Sequence, residues 1–299
     1  MADLVLRQVF ESIVRGVLDS IAFHRCLVLV VKSEKIRRLL AQCLLLNGLI
    51  FLGSIFVFHN IVSHILGWGL SWLFHLESND DTVKRIQNWI EWIYFVLWII
   101  PMYVLSFVLN TLWYQDIARE SLKVFPQAST GTSSSSSSSR ITSEIVQVIF
   151  RSLFNLIFLL YLCVLYRWRW IYAVHLGWLV AYNSFEYRWI SEKKSFDEKI
   201  NLFEKGYIYY LSFGLPLSLL AVQFPSVVES GLISLLLPLL IMSASTAGKA
   251  PSVIALPKSL PWFDRKVLSL FERCPVLIVP ESLTKLVIIA TSHFQRISF

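Results

Sequence analysis

Residues 89–118 read WIEWIYFVLWIIPMYVLSFVLNTLWYQDIA, and the fold follows from them. From Trp92 to Trp113 there is no charged residue. A helix needs about 20 apolar residues to cross a hydrocarbon core of about 30 Å, so this run is long enough to span. Trp89 and Trp92 stand at one end, with Trp113 and Tyr114 at the other. Amphipathic aromatics favour the headgroup level, so the two pairs read as interfacial belts. Pro101 lies mid-span, where the carbonyl it frees must be re-satisfied. Past Asn110 the helical pattern continues through Gln115, Asp116, Arg119 and Glu120, which makes a rigid link out of the membrane.

The rest of the composition agrees. Of 299 residues, 56% are apolar and only 16% charged, against about a quarter in soluble domains. The class is an all-α polytopic membrane protein. In that class the formal charge of +7 reports orientation rather than nucleic-acid binding. Cys26, Cys43, Cys163 and Cys274 are scattered, with no C-x-x-C, so neither a structural zinc site nor a disulfide framework is expected. Residues 1–20 carry five charges and no apolar core of a cleavable signal.

Taken in order, residues 1–38 form an amphipathic segment with apolar residues at three- and four-residue spacing. It lies on the membrane surface or packs beneath the bundle. Residues 39–113 hold two long spanning helices. The first contains Asn47, Gly48 and Gly53, a composition that permits close helix approach and hydrogen bonding across helices. Residues 114–143 form a linker containing seven consecutive serines, Ser133 to Ser139, which bury too little apolar area to order themselves. Residues 144–189 and 207–245 form two helical hairpins, joined by an aqueous loop at 190–206 and followed by a tail at 246–299. The first hairpin turns at Arg167–Trp170. The second turns at Pro225, Ser226 and Glu229, with Gly214, Pro216 and Pro238 interrupting its arms. Hydropathy allows either full or partial crossing by both hairpins.

Placing both termini and the loops 114–143 and 190–206 on one face gathers 21 of the 27 Lys and Arg residues there. The positive-inside rule makes that face cytosolic. It also brings Asp116 and Arg188 to the same membrane face. Asp116 or its neighbour Gln115 is therefore expected to bond the Phe185–Trp189 segment, with Arg188 as the long-range partner of Asp116 and Arg119 as the local one. Glu186 and Arg188 are two apart, so on a helix each needs some other partner.

Five motifs occur in order: RGVLDSI (Arg15–Ile21), WYQDIA (Trp113–Ala118), FEYRW (Phe185–Trp189), YYLSFGLPL (Tyr209–Leu217) and LLPLLIMSA (Leu236–Ala244). Together they resemble the eukaryotic etoposide-induced protein 2.4 family, which is itself similar to the bacterial CysZ sulfate permeases. The resemblance covers residues 10–245. It implies an endoplasmic-reticulum membrane protein linked to autophagy, with two long spans and two partly penetrating hairpins. On that basis Trp113, Gln115, Asp116, Phe185, Glu186, Arg188, Trp189, Gly214, Pro216 and Pro238 are the motif residues to follow.

Two functions compete with a third behind them. The first is a non-enzymatic endoplasmic-reticulum factor in autophagosome formation or maturation, with membrane lipids and autophagy proteins as partners. The second is a transporter of a small oxyanion such as sulfate, for which Arg151, Arg188 and the Gly214–Pro216 break could supply donors. The third is lipid remodelling. No nucleophile elbow, paired metal ligands or phosphate-cradling glycine loop is present, so no catalytic residue, metal or cofactor is expected.

Overall fold

The computed structural model describes residues 2–74, 81–125 and 156–251, and every element among them is helical. The serine tract, Arg151, Cys274 and the tail beyond Pro251 lie outside the described residues.

The amphipathic segment is two helices, α1 (Ala2–Ser20) and α2 (Phe23–Lys32), broken at Ile21–Ala22. Gly16 lets α1 lie directly on the second hairpin. A Cβ there would stand 2.5 Å from the Tyr209 carbonyl oxygen and 2.9 Å from Ser212 Cβ. Asp19 fixes the same joint, accepting from Tyr209 Oη at 2.8 Å and from Arg25 at 3.0 Å. The outer side of α1 and α2 leaves Leu6, Phe10, Leu18, Leu27 and Val31 exposed.

Ser33 caps the next helix by accepting from the Ile36 N–H. The long pair follows as α3 (Glu34–Trp72) and α4 (Lys84–Val124), both apolar and long enough to cross a membrane. The expected polar continuation of α4 through Gln115 and Asp116 is present, reaching Val124. Each helix widens locally into π turns, at Leu45–Leu52 and Phe58–Val62 in α3 and at Phe95–Ile99 in α4. The last precedes Pro101, whose ring would crowd the carbonyl four residues back. Opening the turn there is one way a helix accommodates a proline. Phe58 stacks on Tyr94 at 3.8 Å, and Tyr94 and Trp98 both bond Ser54 Oγ.

The first hairpin is α5 (Leu156–Leu165) and α6 (Arg169–Ser191). The loop expected at 190–206 is largely a helix, α7 (Phe196–Lys205), opened by a capping box between Ser195 and Glu198. The second hairpin is α8 (Tyr207–Ala221) and α9 (Ser226–Thr246). One sequence expectation shifts here. Ser226 and Glu229 belong to the first turn of α9 rather than to the hairpin turn, because Pro225 occupies the N-cap position and the helix starts directly after it.

The two hairpins meet where Gly214 of α8 crosses Gly177 of α6. A Cβ on Gly214 would overlap the Gly177 carbonyl. Around this crossing Phe185 packs against Tyr210 and Phe213 at ring distances of 5.0 and 4.9 Å. α9 runs antiparallel to α3: Ser234 lies beside Asn47, Leu235 beside Gly48, and Gly231 beside Leu52. At 1.5 Å per residue, α3 continues for about 30 Å beyond Leu52, whereas α9 begins only five residues before Gly231. The long pair therefore projects past the start of α9 by roughly 20 Å. Its projecting part carries the exposed Trp68, Trp72, Trp89 and Trp92.

Candidate functional site: a cavity between the long helices and the hairpins

The motif residues divide into two groups, and the first builds the scaffold. Arg188 is buried near the end of α6, and Nη1 donates to the Ala244 and Ala247 carbonyls at 3.0 and 2.6 Å. Those carbonyls terminate α9, where a cation also complements the negative end of the helix dipole. Arg188 Nε donates to Glu192 at 2.9 Å, and Lys194 holds the same carboxylate at 3.3 Å. Trp189 and Phe185 pack in the aromatic cluster, and Glu186 is buried beside them in sequence. Gly214 makes the helix crossing, Pro216 sits within α8, and Pro238 is buried within α9. The expected bond from Asp116 to the Phe185–Trp189 segment is not formed. Arg188 is turned toward α9, while Asp116 stands 3.6 Å from Lys35 and 4.0 Å from Arg119. What links the two segments is instead Tyr114, whose ring meets Tyr187 edge-on at 5.7 Å. Trp113 is half-buried against the core.

The second group, Gln115 and Asp116, lines a cavity of about 1630 Å³ bounded by α3, α4, α5, α6 and α9. Five cations reach it, Lys35, Arg119, Lys123, Lys193 and Lys199, against the carboxylates of Asp116, Glu120 and Glu192. All eight lie at the end of the bundle where α4 leaves the long pair, so that end is basic. Lys123 pairs with Glu120 at 2.9 Å, whereas Asp116 is shared by two cations at longer distances. Lys193 is held at φ 58°, in the left-handed region, by the turn after α6.

Deeper in, one wall is polar. Asn47 and Asn110 exchange amide bonds at 3.0 and 2.9 Å, and Tyr114 Oη donates to the Ser234 carbonyl at 2.6 Å. The Ser106 hydroxyl is buried with no partner among the described residues. At the far end, buried Glu229 accepts from Tyr172 Oη at 2.5 Å. Much of the rest of the lining is apolar, with Phe107 of α4, Leu159 and Leu162 of α5 and Leu176 of α6. Phe107 and Leu159 remain exposed while lining the space, so among the described residues it opens sideways between α4 and α5.

Sequence reasoning placed Asn47 and Asn110 as polar groups on separate spans without pairing them. It did not connect Lys35 to Asp116, and it assigned Glu229 to a turn. The available signal was the one-face alignment of Asn110, Ser106 and Tyr114 along α4, at helical spacing.

Residues 22–227 match the family described as "Sulfate transporter CysZ/Etoposide-induced protein 2.4". The chain belongs to this family. A relative from Dictyostelium discoideum named "Protein EI24 homolog" is 30% identical over 264 residues, 86% of this chain and 82% of the relative. One of the same name from Arabidopsis thaliana is 28% identical over 271 residues, 81% of this chain and 84% of the relative. No solved structure matches the chain. The family match takes in α2 through α8 and ends at the start of α9, so it covers the basic mouth and most of the cavity's walls.

Proposed function

We propose that this family member is a non-enzymatic, multi-pass protein of the endoplasmic-reticulum membrane acting in autophagosome formation or maturation, and that its work is done in the interhelical cavity. The cavity carries the reading. A space of about 1630 Å³ exceeds the about 300–1,000 Å³ of ordinary small-molecule pockets and opens sideways. A protein serving only as a scaffold has no need of such a space. The autophagy assignment is supported by the motif resemblance. The basic end is assigned to the cytosol on the positive-inside argument. The hairpins are inferred to penetrate partway, because the long pair outreaches α9 by roughly 20 Å.

The test is complementation in cells lacking the protein. Thr111 and Leu159 line the opening and are not buried, so Thr111→Trp and Leu159→Trp fill it without repacking the core. The wild-type chain restores autophagic flux, and the filled variants reach the membrane but do not restore it. Full rescue by both variants refutes the cavity as the working site. A second reading, transport of a small oxyanion, rests on the excess of cations at the mouth and the sulfate transporter named in the family description. Sulfate uptake into vesicles holding the purified chain, abolished by Thr111→Trp, would favour it.

A further inference from the structure

We propose that the occupant of the cavity is a membrane glycerophospholipid, entering sideways between α4 and α5, with its phosphate at the basic mouth and its chains along the apolar wall. The inference rests on the reading that the cavity is the working site, and it names the ligand.

Size argues first. At about 30 Å³ per water, the space equals roughly fifty waters. One tetrahedral anion would leave nearly all of it as solvent. Along α4 the lining runs from Lys123 to Tyr103, about 30 Å at 1.5 Å per residue. About half of that length, Tyr103 to Trp113, lies within the apolar run, which matches the depth of the single leaflet a phospholipid occupies.

The distribution of groups argues second. Asp116 answers both Lys35 and Arg119, at 3.6 and 4.0 Å, longer than the about 2.7–2.9 Å of a direct charge-assisted bond. Both cations thus retain donors for a phosphate, and Lys193, which is exposed, lines the same cavity. The deep end differs. There Glu229 is an acceptor already bonded to Tyr172, and the nearby Arg169 donates to the Val222 carbonyl at 2.6 Å. Among the described residues that line the space, none at the deep end is a cation, so the second donor set that a permeating anion would need is not built there. An anionic head is held at one end only, and everything attached to it must lie along Phe107, Leu159, Leu162 and Leu176.

Access argues third. An ion needs an aqueous mouth alone. This space also opens sideways past Phe107 and Leu159, and a lipid needs such an opening to keep its chains in hydrocarbon while its head moves in.

Cys163 lines the cavity and is exposed, whereas Cys26 and Cys43 are buried, so Cys163 is a built-in reporter. The full chain carrying Cys274→Ser is purified in a maltoside detergent, which has no phosphate. Maleimide modification of Cys163 is timed alone, with dioleoylphosphatidylcholine, and with inorganic sulfate or phosphate. The phospholipid slows the reaction about tenfold once it reaches about nine times its dissociation constant, following the factor 1 + [L]/Kd. The free anions leave the rate unchanged. Lys35→Gln combined with Lys193→Gln raises the lipid concentration required. Equal protection by sulfate or phosphate, no protection by the phospholipid, or a thiol unreactive before lipid is added would each overturn the proposal. If the filled variants abolish flux while the phospholipid gives no protection, the working cavity survives and the lipid does not.

Discussion

Asn47 of α3 and Asn110 of α4 bond each other twice, amide to amide, while Asn47 also donates to the Cys43 and Ser234 carbonyls. Both residues are buried. The pair fixes the register of the two long helices at the level where α9 joins them. Replacing one member strands the other, at about 1–3 kcal/mol. Asn47→Leu and Asn110→Leu should each lower the thermal midpoint in detergent. The double variant should be less damaged than the sum of the two, as measured by a double-mutant cycle. Additive losses would mean that the two amides act separately.

Arg188 terminates α9 by donating to the Ala244 and Ala247 carbonyls. Arg188→Ala removes these bonds and leaves Glu192 to Lys194 alone, a change of about 3–5 kcal/mol for a buried pair broken on one side. Arg188→Lys should not restore it, because an ammonium cannot reproduce the fork that reaches two carbonyls and a carboxylate. Thermal unfolding of both variants checks this, and recovery by lysine would show that charge alone suffices.

Asp116, by contrast, is paired at the surface, and Asp116→Ala should change stability by no more than about 1 kcal/mol. Because its partners are Lys35 and Arg119, its effect should add to that of Arg188→Ala. A coupling well outside error between the two would restore the direct contact that the motifs suggested.

Gly214 tolerates no side chain at the α6 crossing. Gly214→Val should fail to give a folded, monodisperse protein in detergent, since overpacking costs about 1–3 kcal/mol even where neighbours can shift and here the neighbour is backbone. Gly69→Ala is the control, with open space around it. Normal folding of Gly214→Val would mean that the two hairpins can separate without loss.

How far the fold was legible follows from what each feature depends on. The two long helices depend on composition along one dimension, and Trp92–Trp113 carries that signal by itself. The hairpins were legible from Pro225 and the Arg167–Trp170 turn, but their reach was not, because depth is set by which residue of α9 meets Leu52 of α3. Gly214 was visible as a break, and its actual role, admitting the Gly177 backbone, requires a partner 37 positions away. Arg188 looked available for Asp116 because both lie at the same end, and helix rotation decided otherwise. The cavity was not legible at all. Lys35, Asn110, Glu192 and Glu229 become neighbours of one space only after five helices have packed.

The central claim is that a polar, solvent-connected space lies inside the membrane portion of this protein. Cysteine accessibility in the purified chain, stripped of phospholipid and held in a maltoside micelle, tests it most directly. On a background with Cys163→Ser and Cys274→Ser, single cysteines are placed at Thr111 and Ser234, which line the cavity, and at Leu97, an exposed position on α4 that does not. A charged thiol reagent that does not enter the detergent belt should modify the first two and leave Leu97→Cys, which the belt covers, unmodified. Modification of none of the three, or of Leu97→Cys as fast as the others, would contradict the account.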